Sequence, residues 1–335
     1  MADKRKQAHN FPPTEKISRN FSPNRNVGVF LSFISLFLLG ILPIISNSRP
    51  SALNALNYAF YLSLWELICS LPLSFYEFKK PNQGIFQKSI DSKIRKKTLI
   101  IMVATGIIFS ISTFFYVYAF ETAGTISAAI AIQTYPLFSI FMEFILFKKK
   151  KRLSEFIFTL ILIVGIYYLG TEGTWLIIGF SPWFALALIV PLLWSIAHVI
   201  IKRTLDTSPI TPNQVTFLRV LISSILLLGI SSLVNSPSGV LEGLLNPEFQ
   251  IFGFLMGIVY YLELINWFYA VKHIEVSVAS TITTPTPIIT MIFALFILKE
   301  SIELYQVIAM AIVFISLYGL IFSGKPNYNK KKKNQ

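Results

Sequence analysis

The sequence predicts an all-α polytopic membrane protein, with ten transmembrane helices arranged as two inverted five-helix repeats. Three observations carry this. Of 335 residues, 54% are hydrophobic and only 13% charged, against roughly 25% charged in an average soluble domain. Apolar runs long enough for the hydrocarbon core, about 20 residues each, recur at 27–46, 55–78, 98–120, 125–147, 153–171, 182–201, 213–234, 249–271, 276–298 and 302–322. Helices are required because lipid offers open backbone groups no partner. Finally, the chain repeats itself. A shift of 151 residues, the step from Gly106 to Gly257, also carries Tyr118 to Tyr269, Ala128 to Ala279, Pro136 to Pro287 and Lys148 to Lys299. Repeats in apolar chains mark transporter architecture, with the substrate path between the halves.

Charge placement excludes a nucleic-acid surface despite the net +13. All basic residues except Arg49, Arg219 and Lys299 fall before residue 27 or after even-numbered spans. Lys and Arg gather on cytoplasmic loops, so both termini are expected in the cytoplasm. The opposite loops carry Glu121, Glu172, Glu242, Glu248, Glu300 and Glu303 instead. Cys69 is the single cysteine, so no disulfide forms within the chain. His9, His198 and His273 are far apart in sequence, and neither a metal site nor a cofactor is implied.

Taken in order, residues 1–26 read as a disordered basic tail, 27–171 as the first repeat, 172–323 as the second, and 324–335 as a second basic tail. The second span carries Glu66 on a small, polar stripe with Ala59, Ser63, Ser70 and Ser74. A carboxylate at the bilayer centre costs at least ~2.5–3.5 kcal/mol, so it must face protein or water. The third span ends in aromatics, Phe114, Phe115, Tyr116 and Tyr118, which are expected to form an interfacial belt. The segment 79–97 reads as a cytoplasmic loop. In the fourth span Gln133 and Pro136 share a face with Glu143, which lies near the basic cluster 148–152 and is discounted as a site residue. Trp194, Ser195 and His198 fall in the sixth span, where the histidine reads as a hydrogen-bonded core residue before a proton relay. The seventh aligns Thr216, Arg219 and Ser223, and a gapped alignment of the halves sets Arg219 opposite Glu66, making a salt bridge conceivable.

The eighth span is the most polar, with Tyr260, Glu263, Asn266 and Trp267 read as one ligand-facing side. The ninth holds TITTPTP. Its hydroxyls, Thr284 among them, are placed to meet carbonyls freed by Pro285 and Pro287, and helices broken in this way line cavities. The tenth span is bland and is expected to face lipid or a second protomer, so a homodimer is an open possibility.

Ten spans in two repeats of five, with AAIAIQTYPLFSIFMEFILF and ASTITTPTPIITMIFALFILKESI as the matching segments, resemble the EamA-type transporters of the drug/metabolite transporter superfamily. Five spans per repeat is an odd number, so the resemblance implies halves inserted in opposite senses. The chain departs from the family pattern at Glu66, where an arginine is common, and at Lys149, where an acid is.

The expected function is transport of a small organic metabolite by alternating access around a midplane site. The solute is expected to be amino-acid-like, zwitterionic or cationic, with aromatic walls around it. Glu66, Gln133, Trp194, Arg219, Tyr260, Glu263, Asn266, Trp267 and Thr284 are the candidate substrate residues. Glu66, Glu263 and His198 are the proton-coupling candidates, since leaving water penalises the charged form of any carboxyl group. Pro136, Pro285 and Pro287 are the candidate helix breaks. Family breadth also implies exchange or uptake of S-adenosylmethionine-like solutes as an alternative; a passive channel or membrane scaffold is the alternative of another class. An intramembrane protease is disfavoured, because no aspartate lies in any span. The expected location is a bacterial inner (plasma) membrane, with lipid, the small-molecule substrate and a second copy of the chain as the candidate partners and no nucleic acid.

Overall fold

The computed structural model describes residues 23–79, 84–87, 90–147, 153–176 and 182–324. Every regular element among them is helical. In chain order these are α1 (Arg25–Asn47), α2 (Ala55–Phe78), α3 (Ser92–Ala123), α4 (Thr125–Ile132), α5 (Tyr135–Phe147), α6 (Leu153–Gly170), α7 (Pro182–Thr207), α8 (Pro212–Asn235), α9 (Pro237–Leu245), α10 (Pro247–His273), α11 (Val276–Thr283), α12 (Thr286–Phe293), a π turn (Ala294–Leu298) and α13 (Leu304–Gly324). Helices α4 with α5, and α11 with α12 and the π turn, each make one broken span. Eight spans are long and apolar enough to cross a membrane, and α6 and α13 contribute two shorter apolar helices, Ile157–Gly170 and Leu304–Leu320. The basic tails and the 148–152 cluster lie wholly or mostly outside the described residues.

Local chemistry explains the boundaries. Asn54 caps α2 by accepting from Asn57 N, and Thr211 caps α8 by accepting from Gln214 N, with Pro212 at the position where a missing N–H costs nothing. Asn246 caps α10, with Glu248 in its first turn and Lys272 and His273 in its last, each charge on the favourable end of the helix dipole. Gly124, at φ 79°, ends α3 in a backbone conformation that suits glycine. Two expectations are corrected. Part of the 79–97 segment is helix, because Asp91 accepts from Lys93 N and starts α3 at Ser92. The loop after α8 contains α9, held by the Tyr61 hydroxyl, which donates to Val240 O at 3.0 Å.

The two halves interlock by exchange. Helix α1 packs on α10 and α7 on α3; α2 packs on α10 and α8 on α3; α6 packs on α13. Glycines permit the closest approaches. A Cβ on Gly106 of α3 would lie 2.7 Å from Ile222 of α8, and one on Gly257 of α10 would lie 2.6 Å from Trp65 and 2.8 Å from the Leu62 carbonyl of α2. The residues matched by the 151-residue step therefore do the same work in opposite halves. Gly165 against Ile312 and Gly319 against Phe158 form a second reciprocal pair, joining α6 to α13.

Helices α2 and α8 run antiparallel and are joined by polar contacts at three levels. Near one end Ser231 and Asn235 bond Asn57, the latter at 2.9 Å. In the middle Ser224 donates to Ser63 O at 2.8 Å, beside the Arg219–Glu66 pair at 3.3 Å. At the other end Glu77 accepts from Thr211 and Asn213 at 2.5 and 2.6 Å. In a membrane interior, where water cannot compete, such contacts hold the two halves in register.

Candidate functional site

The helix breaks position the site. Pro136 and Pro287 are each the second residue of a half-helix, where proline is tolerated but withholds an N–H from the preceding turn. The carbonyl denied by Pro287 is that of Thr283, and the Thr286 hydroxyl donates to it at 2.6 Å. Pro285 sits between α11 and α12, and Thr284 N reaches back to Thr281 O at 3.2 Å. The first break is similar, with Thr134 N and its hydroxyl both directed at Ala131 O, at 3.1 and 2.8 Å. Helices α4 and α12 pack together, as do α5 and α11, so the broken spans meet near their interruptions.

Between them lies a cavity with about 40 Å³ of free space. Gln133, Tyr135, Thr283 and Thr286 line it from the breaks; Phe109, Tyr116 and Phe120 from α3; Trp194 and His198 from α7; Tyr260, Glu263, Leu264 and Trp267 from α10. The walls are aromatic and closely organised. Tyr116 stacks between Trp194 and Tyr260, with ring centroids 5.5 and 6.1 Å away. His198 lies 5.3 Å from Trp267 and 6.4 Å from Trp194 by ring centroid, and its Nδ1 shares a hydrogen bond of 2.9 Å with the Tyr135 hydroxyl.

Charge enters from three residues. Glu66 and Arg219 form a buried ion pair at 3.3 Å, each 1% exposed. The guanidinium lies 3.9 Å from the centroid of Phe109 and 5.5 Å from that of Tyr260, both cavity residues, although neither Arg219 nor Glu66 lines the cavity directly. Glu263 does line it. Its carboxylate feels the charges of Arg219 and Glu66 but receives no hydrogen bond from a described residue. One cation therefore stands against two acids.

Of the sequence candidates, the structure brings Gln133, Trp194, His198, Tyr260, Glu263 and Trp267 to one cavity, with Glu66 and Arg219 behind its wall. Two are placed elsewhere. Asn266 is half-buried, and its amide donates to Leu262 O of its own helix at 2.6 Å. Thr284 is fully buried and donates to Ser280 O at 3.1 Å, while its neighbours Thr283 and Thr286 take the cavity positions. Sequence reasoning missed Phe109, Phe120 and Tyr135, and assigned Tyr116 to an interfacial belt. Tyr116 is 2% exposed and forms the cavity wall. The available signal was its spacing: Phe109, Tyr116 and Phe120 recur at i, i+7 and i+11, one face of a helix.

Polar contacts close both ends of the bundle. At the Gly124 end Asn47 donates to Phe120 O at 2.9 Å and to Thr125 at 2.6 Å, Thr125 bonds Glu300, and Arg49 pairs with Glu121. Burial pulls the Arg49 guanidinium below its ordinary value, and the Glu121 carboxylate opposes that shift. At the opposite end, the Glu77 contacts with Thr211 and Asn213 close α2 against α8.

The profile of the EamA-like transporter family matches residues 26–171 and again 181–322, almost the whole helical part in two copies. A search of the curated proteins finds no match. Among solved structures 27 chains match; one, described only as "Crystal structure of protein", superposes with a TM-score of 0.62 at 14% identity, covering 90% of this chain and 100% of its own. At that identity the likeness speaks for the fold alone. Two profile matches, spread over eight membrane-length spans and two shorter apolar helices that interlock as reciprocal halves, identify an integral membrane transporter: the chain belongs to the EamA-like transporter family.

Proposed function

We propose that this EamA-like transporter moves a small organic solute bearing a positively charged amine, by alternating access between halves formed by residues 27–171 and 172–323. The observation that carries the reading is Glu263, a carboxylate inside an aromatic cavity that no described residue neutralises by hydrogen bonding. A cation over a desolvated aromatic face gains about 0.5–2 kcal/mol, and the excess acid supplies its counter-charge. The free space of 40 Å³ is far below the roughly 300–1,000 Å³ of ligand sites. The halves must part to admit an organic solute, and the polar contacts at the two ends are the places where they can do so in turn.

A proton and an amine compete for Glu263, which supports proton-driven export. The charged and titratable groups nearest it are Arg219 and Glu66, with His198, Tyr116 and Tyr260 in the same wall. The sign follows: protonation removes the counter-charge, so amine binding weakens as pH falls. The proposed setting is a bacterial inner membrane with both termini cytoplasmic.

The test is binding of a panel of amines to purified protein across a pH series, beside Glu263→Gln. The proposal expects the variant to lose about 10-fold or more in affinity, as when a buried charge loses its hydrogen-bonded partner, and to lose the pH dependence. Wild-type pH dependence retained in Glu263→Gln rejects the assignment. Solute counterflow in vesicles that ignores a pH gradient points to metabolite exchange instead.

A further inference from the structure

The amine reading uses one side of the cavity and leaves another chemistry unexplained. Three ring nitrogens among its lining residues have no hydrogen-bond partner among the described residues: Trp194 Nε1, Trp267 Nε1 and His198 Nε2. All three side chains are at least nine-tenths buried, at 7%, 3% and 6% exposure. Buried polar groups are nearly always satisfied, and an indole N–H can only donate. Two unpaired indoles flanking one imidazole in the same small cavity are therefore a demand for an acceptor.

His198 adds a third donor. That role belongs to the tautomer in which Nδ1 accepts from the Tyr135 hydroxyl across their 2.9 Å contact and Nε2 carries the proton; the two indole N–H groups are donors in either tautomer. The helix breaks adjoin these nitrogens. Tyr135 is the first residue of α5 and Thr286 the first of α12, and both line the cavity. Helices α5 and α12 thus begin at the cavity, while α4 and α11 end there at Ile132 and Thr283, so both helix poles meet at the breaks, as in the broken helices of transporters. Glu263 stands one turn before Trp267 on α10, so the counter-charge for a cation adjoins the donors for an anion.

We infer that Trp194, Trp267 and His198 form a subsite for a carboxylate, and that the solute is a zwitterion whose ammonium meets Glu263 and whose carboxylate meets these nitrogens. Two carboxylate oxygens offer about four lone-pair directions, enough for all three donors. This rests on the reading of the cavity as the solute site, and makes the two tryptophans determinants of specificity rather than apolar walls alone.

The experiment uses the full chain in lipid nanodiscs and three probe series: phenylalanine, tryptophan and leucine, each beside its carboxamide and its decarboxylated amine. Trp194→Phe and Trp267→Phe keep a ring but delete the N–H, and thermal melting verifies that each variant is folded. The expected result is an amino-acid affinity roughly 10-fold above that of the matching amine, with each Trp→Phe change removing about 5-fold or more of that preference, so that the amino acid loses more affinity than its amine does. Equal affinity for acid and amine in the wild type overturns the subsite while leaving the amine reading intact. So does a Trp→Phe loss that is the same for both. Failure of every probe to bind rejects the amine reading, and the subsite with it.

Discussion

Arg219 carries the only positive charge in the middle of the described bundle, and its setting makes a stability experiment decisive. Its pairing with Glu66 is buried on both sides, and its guanidinium rests on Phe109. Removing one member of such a pair strands a charge at a cost of about 3–5 kcal/mol, whereas removing both is often nearly neutral. Glu66→Gln and Arg219→Met are each expected to lower the melting temperature in micelles sharply, and the double variant to recover much of the loss. Additive losses would show that the two do not act as a pair. The charged core was legible in the sequence, because an ionisable residue in an apolar run has few places to go. The aromatic wall was less so. Tyr135 and Phe109 look like any ring in a chain with 30 phenylalanines and 14 tyrosines, and only packing distinguishes them. Asn266 misled because it is one residue before Trp267 and rotates about 100° away from it, far enough to bond its own helix instead.

At the scale of elements, the interrupted helices are the feature that a single change can test. Pro285 and Pro287 withhold two donors and keep α11 and α12 apart, which leaves Thr283 and Thr286 at the cavity. Replacing both prolines by alanine restores the N–H groups and favours one continuous helix, a preference of about 3 kcal/mol per interior proline. The double variant should melt at the same temperature or higher yet lose most solute binding. Unchanged binding would mean that the interruption plays no part in the site. Most spans could be read residue by residue: α2 at Ala55–Phe78 and the α4–α5 span from Thr125 to Phe147 begin and end where the apolar runs do. The misses have physical causes. Helix α3 extends past its apolar run because Asp91 caps a basic, solvated first turn, and α9 has nine residues, too short for hydrophobic periodicity to register. Thr284 lies off the cavity because the interruption resets the helical register, so faces counted from one half do not continue into the next.

For the whole molecule the central claim is that two similar halves, threaded through the bilayer in opposite senses, enclose one cavity. The family match over both copies and the reciprocal glycine contacts support it, Gly106 on α8 answering Gly257 on α2. Opposed insertion has a direct consequence for two lysines that follow corresponding spans. Lys149, outside the described residues, follows the fourth span, and Lys299 follows the ninth. Because Cys69 is the only cysteine, a Cys69→Ser chain gives a clean background for Lys149→Cys and Lys299→Cys. A charged, membrane-impermeant maleimide applied to intact cells should label the Lys299→Cys protein from outside and the Lys149→Cys protein only after permeabilisation. Labelling of both from the same side would contradict the account.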